Sequence, residues 1–91
     1  MDVERLSPAS RDLLLQALPA GEVVNVLYKD GARVELGFAR DRRCFALGER
    51  GWLSFKGWEG EPSQGAACAS RWALTVQALE VLAGRREAEA A

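Results

Sequence analysis

The chain has no histidine at all, and that absence narrows its chemistry more than any residue it contains. Without imidazole, the usual general base near neutral pH is missing. Cysteine is scarce too: Cys44 and Cys68 are isolated, and with no histidine beside them they do not complete a four-ligand zinc site. In so apolar a chain, they read as reduced core residues rather than a disulfide. No glycine-rich phosphate loop precedes a helix, and no nucleophile sits in an elbow motif. Long apolar runs are also absent, so nothing in the sequence is suited to span a bilayer. The start, Met1-Asp2-Val3-Glu4-Arg5, is charged and leads into no apolar signal core, which suggests a cytoplasmic protein. These absences point away from catalysis, metals and cofactors.

What is present suits one small domain over residues 1–91, with 1–6 and 87–91 expected to fray. Apolar residues make up 48% of the chain, enough to argue against disorder. The net charge of −1 hides an uneven distribution. Residues 29–56 carry seven basic side chains against four acidic, while both flanks are net negative. Such a field can attract an acidic partner, or it can reflect solvated turns.

Ser7-Pro8 reads as an N-cap followed by proline at the first helical position. That helix should run to Leu18 and stop at Pro19-Ala20-Gly21. Asp30-Gly31 is a two-residue hairpin turn, setting Tyr28 opposite Arg33 and Lys29 opposite Ala32. The strand before it should put Val23, Asn25 and Leu27 on a core face, with Val24, Val26 and Tyr28 on the other. Its partner is expected to continue through Val34, Leu36 and Phe38. A second hairpin, turning at Glu49-Arg50-Gly51, pairs Phe45 with Phe55 and Leu47 with Leu53. Residues 57–65 read as a loop. Cys68, Trp72, Thr75, Val76, Leu79 and Leu82 then form an apolar arc on a helix from Ala66 to Ala83. Gly84 should end it, and Arg85 and Arg86 suit the negative end of its dipole. The expected fold is α+β: an N-terminal helix, a four-stranded antiparallel β-meander, and a C-terminal helix packed on the sheet.

Two surfaces stand out as candidates for function. Tyr28, Arg33, Trp52 and Lys56 fall on the outer sheet face, and Trp58 stands in the glycine-rich loop as a partner anchor. Leu74, Ala78 and Val81 lie opposite the main arc of the C-terminal helix and suggest self-association, as a homodimer. The leading expectation is a non-catalytic interaction module, an adaptor or an inhibitor of the kind phage and mobile elements encode, docking on a protein partner. The alternative is nucleic-acid binding, with Tyr28 and Trp52 stacking on bases and Arg40, Arg42 and Arg43 meeting phosphates. The stretch Val24 to Gly37, behind a short helix, resembles the opening of Sm-like RNA-binding proteins. That resemblance implies a bent hairpin after the helix and subunits that ring on RNA. The later loop and helix depart from the pattern.

Overall fold

In a computed structural model, residues 1–60 and 67–90 are described, with side chains as far as Gly84. The protein is α+β. Its elements are α1 (Pro8–Ala17), β1 (Glu22–Lys29), β2 (Ala32–Arg33), α2 (Glu35–Glu49), β3 (Leu53–Glu59), β4 (Cys68–Leu74) and α3 (Val76–Ala90). The four strands form one antiparallel sheet in the order β2-β1-β4-β3. The sheet is therefore not a meander, because β4 pairs with β1 on one side and β3 on the other and becomes a central strand.

The first third follows its local signals. The Ser7 hydroxyl accepts the Ser10 N–H at 3.2 Å, Pro8 opens α1, and Gly21 leaves it at φ 76°. Asp30 and Gly31 adopt φ of 54° and 77°, and the hairpin register is Tyr28 opposite Arg33 and Lys29 opposite Ala32. Along β1, Val23, Asn25 and Leu27 are buried, while Val24 and Val26 face solvent. The amino-terminal residues expected to fray carry a 3-10 turn at Val3–Arg5, and Val3 and Leu6 are part of the core.

The middle of the chain departs from the expected sheet. Val34 still donates its N–H to the Leu27 carbonyl at 2.8 Å, but the chain then enters α2. The strand reading of Leu36, Phe38, Phe45 and Leu47 is thus overturned, and with it the Sm-like bent hairpin. Residues 35–49 contain no β-branched side chain and are rich in Ala, Leu, Arg and Glu, all good helix formers. The positions α2 turns inward are Gly37, Asp41, Cys44, Leu47 and Gly48, a helical spacing made largely of small and polar residues. Gly51 does take a left-handed φ of 84°, but it ends a helix rather than a hairpin: the Trp52 N–H bonds back to the Leu47 carbonyl at 3.0 Å.

Residues 68–74 form a strand, not the first turns of a helix. Cys68, Ser70, Trp72 and Leu74 point to the helix-covered face, while Ala69, Arg71 and Ala73 pair with Val26, Val24 and Glu22 on the other. Both faces of this central strand are largely buried, so sheet contacts outweigh the helical propensity of its alanines. Thr75 then caps the start of helix α3: its hydroxyl accepts the Ala78 N–H at 3.1 Å and donates to the Gly51 carbonyl at 2.7 Å. Trp58 lies in β3 rather than in a loop. Of the expected loop, residues 61–65 lie outside the described residues, as do the Arg85 and Arg86 side chains and the expected fraying of 87–91.

One core joins α1, α2, α3 and the inner sheet face, built on Leu14, Cys44, Leu47, Trp52, Leu53, Trp72 and Leu82. Among the described residues no helix is long and apolar enough to cross a membrane. A β-carbon at Gly37 would collide with the backbone carbonyl of Val26, whereas one at Gly84 would meet nothing within 4 Å. Gly37→Ala should cost about 2 kcal/mol or more in denaturant unfolding. Gly84→Ala, in the exposed part of α3, should instead add roughly 0.5–1 kcal/mol. Equal effects from the two changes would contradict the seating of α2 on β1.

Candidate functional site

The residues expected to form one partner surface are distributed over distant parts of the fold. Tyr28 and Arg33 sit at the β1–β2 turn. There the Tyr28 ring meets Phe38 edge-on at 5.5 Å, and the Arg33 guanidinium lies 3.7 Å from the Phe38 centroid. Arg33 Nε also donates to Glu35 at 2.6 Å. Lys56 and Trp58 belong to β3, at the opposite edge of the sheet. Trp52 is 2% exposed and fills the core, so it can neither contact a partner nor stack on a base. The alternative nucleic-acid surface loses its paired aromatics for that reason.

The self-association stripe is likewise absorbed by the fold. Leu74 is buried in β4, Ala78 is buried on the inner side of α3, and Val81 packs against the core. The three cations lie on α2 rather than in a turn between strands. Arg43 donates to Ser10 and Ser7 at 3.2 and 3.4 Å, tying α2 to the start of α1. Arg40 lines a groove between those helices with Asp12, Leu13 and Leu36, and Arg42 is exposed. The outer sheet face is not covered by α1: Val24 and Val26 are each 42% exposed, and Arg71 bridges Glu22 and Glu59 across it.

Sequence reasoning missed an aromatic margin between α2 and β3. Trp72, buried on β4, has Phe55 on one side at 5.1 Å and 64°, and Phe45 on the other at 6.3 Å and 81°. Trp58 meets Phe55 at 5.2 Å. Phe45, Phe55 and Trp58 remain 62%, 43% and 56% exposed. Phe45, Phe55 and Trp72 border an open groove of about 520 Å³ that also touches Gly48, Glu49, Leu53 and Thr75, while Trp58 reaches this margin only through its contact with Phe55. Single exposed apolar side chains need no explanation, but three large exposed aromatics linked through the buried Trp72 do. The available signal was the spacing of Phe45 and Glu49, four apart on a stretch free of β-branched residues.

Behind this margin lies a buried polar centre. Asp41 Oδ1 accepts from Ser70 Oγ at 2.6 Å and from Trp72 Nε1 at 3.0 Å. The fully buried Asn25 amide nitrogen lies 3.4 Å from each of Asp41 Oδ1, Cys44 Sγ and Ser70 Oγ. Asparagine on the core face thus finds partners for its nitrogen, as burial of a polar group demands. Cys44 and Cys68 are both buried free thiols, and burial pushes the Cys44 thiol above its ordinary value against a smaller opposing effect of Asn25. Among the described residues, no cluster of His, Cys, Asp and Glu is arranged to hold a metal ion. The arrangement fixes Trp72 and thereby the wall of the groove. Comparison with protein-family models, curated proteins and solved structures finds no match.

A thiol whose folded form resists ionisation favours folding below its ordinary value and loses that contribution as pH rises through the folded value. Stability should therefore fall as pH climbs past 9.0, the ordinary thiol value. Cys44→Ala should flatten that alkaline decline in urea unfolding followed from pH 8 to 10. An undiminished decline in this variant would assign it to another group. Removing the carboxylate in Asp41→Ala leaves Ser70 and Trp72 without their acceptor and should cost about 2–3 kcal/mol by the same measurement.

Proposed function

We propose that this protein is a non-catalytic interaction module that docks on a protein partner through the aromatic margin of α2 and β3. The observation that carries the reading is the run of ring contacts from Phe45 through Trp72 and Phe55 to Trp58, in which Phe45, Phe55 and Trp58 stay exposed while Trp52 is taken into the core. Aromatic side chains are enriched at the energetic centres of protein interfaces, where burial of a few rings supplies most of the affinity. The lack of histidine supports a non-catalytic role, as does the use of Asp41, Ser70 and Asn25 in one buried network. An adaptor and an inhibitor share this requirement for a docking surface.

Trp58 is retained from the expected partner set, Lys56 lies two residues before it on the same strand, and Phe45 and Phe55 are added. A Phe45→Ser, Trp58→Ser double variant tests the reading, since both side chains are more than half exposed and their loss should spare the fold. Immobilised wild-type protein is expected to retain a discrete protein from cell extract. The double variant, matched by circular dichroism, should retain it about tenfold less well. Equal retention by the two proteins would overturn the assignment of the surface. Saturable tryptophan quenching by single-stranded DNA or RNA, weakening steeply with salt, would replace it with nucleic-acid binding.

A further inference from the structure

The groove between α2 and β3 has walls of a particular kind. The rings of Phe45 and Phe55 stand at 81° and 64° to the indole of Trp72, so the three do not form a flat stacking platform. They line a recess with surfaces at steep angles to the indole, a shape suited to a small side-chain head rather than to a broad base stacked on a flat platform. Trp72 is the fixed element of this recess. Its Nε1–H is engaged by Asp41 at 3.0 Å, so the polar atom of the indole is already satisfied. Gly48 closes on the other part of the ring, where an added β-carbon would lie 3.0 Å from Cζ3.

One acidic side chain lines the same recess. Glu49 stands four residues after Phe45, on the same side of α2, and has no ion-pair partner among the described residues. Aromatic rings attract cations through their quadrupole, and a carboxylate beside them adds a charge of the right sign. An anion would meet repulsion at the same place. The chain holds a filled instance of this chemistry at the other end of α2. There, the Arg33 guanidinium lies over the Phe38 ring at 3.7 Å and bonds to the Glu35 carboxylate at 2.6 Å. The Phe45–Glu49 pair repeats the combination of ring and carboxylate, with no cation of the described residues upon it.

We propose that this recess recognises a cationic side chain, an arginine or a lysine, presented by the protein partner. The inference rests on the docking reading and specifies which residue the partner inserts. Charge complementarity identifies the occupant: an apolar residue would gain from the rings but not from Glu49, and an acidic one would be repelled.

N-acetyl-arginine amide and its neutral isostere N-acetyl-citrulline amide separate the cation from mere apolar contact. Binding is read from the amide shifts of Gly48 and Glu49 and the indole N–H shift of Trp72 in ¹⁵N spectra. The arginine compound should bind saturably and about fivefold or more tighter than the citrulline compound, and Glu49→Gln should remove most of that preference. Equal binding of the two compounds, no shift at Gly48 and Trp72 with either, or a preference untouched by Glu49→Gln would overturn the inference. The docking reading fails separately, through equal retention of the partner by the wild type and the Phe45→Ser, Trp58→Ser variant. A partner lost with that double variant but held fully by Glu49→Gln would keep the docking surface and remove the cation from it.

Discussion

The seat of α2 across the sheet is the constraint on which the rest of the molecule depends. Three positions along one helix make it possible. At its start Gly37 passes against the Val26 backbone, where no side chain fits. In its middle Asp41 takes hydrogen bonds from Ser70 and Trp72 on β4. Near its end Gly48 meets the indole of Trp72. Two close approaches and a polar latch thus set the height and the rotation of the helix. That rotation buries Cys44 and Leu47 and leaves Leu36 and Phe45 in solvent. The exposed ring at Phe45 is a consequence of where the latch points, since the helix cannot bury both Asp41 and every apolar residue it carries.

The latch is costly chemistry to place in a core. Withdrawing a carboxylate even partly from water is unfavourable unless its oxygens are met by donors, and in the half-buried Asp41 a single oxygen takes the two shorter bonds. Asn25 supplies a third, longer contact, while its own Oδ1 has no partner among the described residues. A core made only of apolar side chains would bind the helix without fixing its register. A network with directional partners on β1 and β4 fixes it, and the shared donors of Asn25, Ser70 and Trp72 make the three positions interdependent. The same network holds the indole at one orientation, so the wall of the groove is set before any partner arrives. Pre-organisation of this kind reduces the ordering cost of binding.

Which parts of this were legible in the sequence follows from how local each signal is. The cap at Ser7, the Asp30-Gly31 turn and the burial of Val23, Asn25 and Leu27 rest on neighbours within a few residues, and they match the structure. The α+β class with an antiparallel sheet was legible for the same reason. The identity of residues 35–49 was not, because the inward stripe of α2 contains glycine and aspartate where amphipathic patterns carry apolar residues. The helix also begins at Val34 with no side-chain cap, so its start is unmarked. Alternating Leu36 and Phe38, then Phe45 and Leu47, imitate a strand. The opposite error at residues 68–74 has a matching cause: Ser70 occupies a core position and two alanines the other face, which erases the alternation of a central strand. Once these two segments exchange identity, Trp52 moves inside, Leu74 and Ala78 become core, and the aromatic margin emerges.

The condition of the sheet edges bears on the manner of the docking proposed above. An unpaired strand invites addition of a further strand unless it is short, charged or irregular. β2 is two residues long and ends at an arginine held by Glu35. β3 is longer, but its pairing shifts between Phe55 and Gly57, with Lys56 at the irregularity and Glu59 at the end. That break interrupts the regular row of backbone donors and acceptors that an incoming strand would require. The aromatic side chains on the same strand are unaffected by it, because Phe55 and Trp58 remain in contact across the break. The edge is thus poorly suited to backbone pairing and well suited to contact through side chains. The docking proposed above therefore calls for a partner that inserts a residue into the recess beside Trp72, rather than one that extends the sheet.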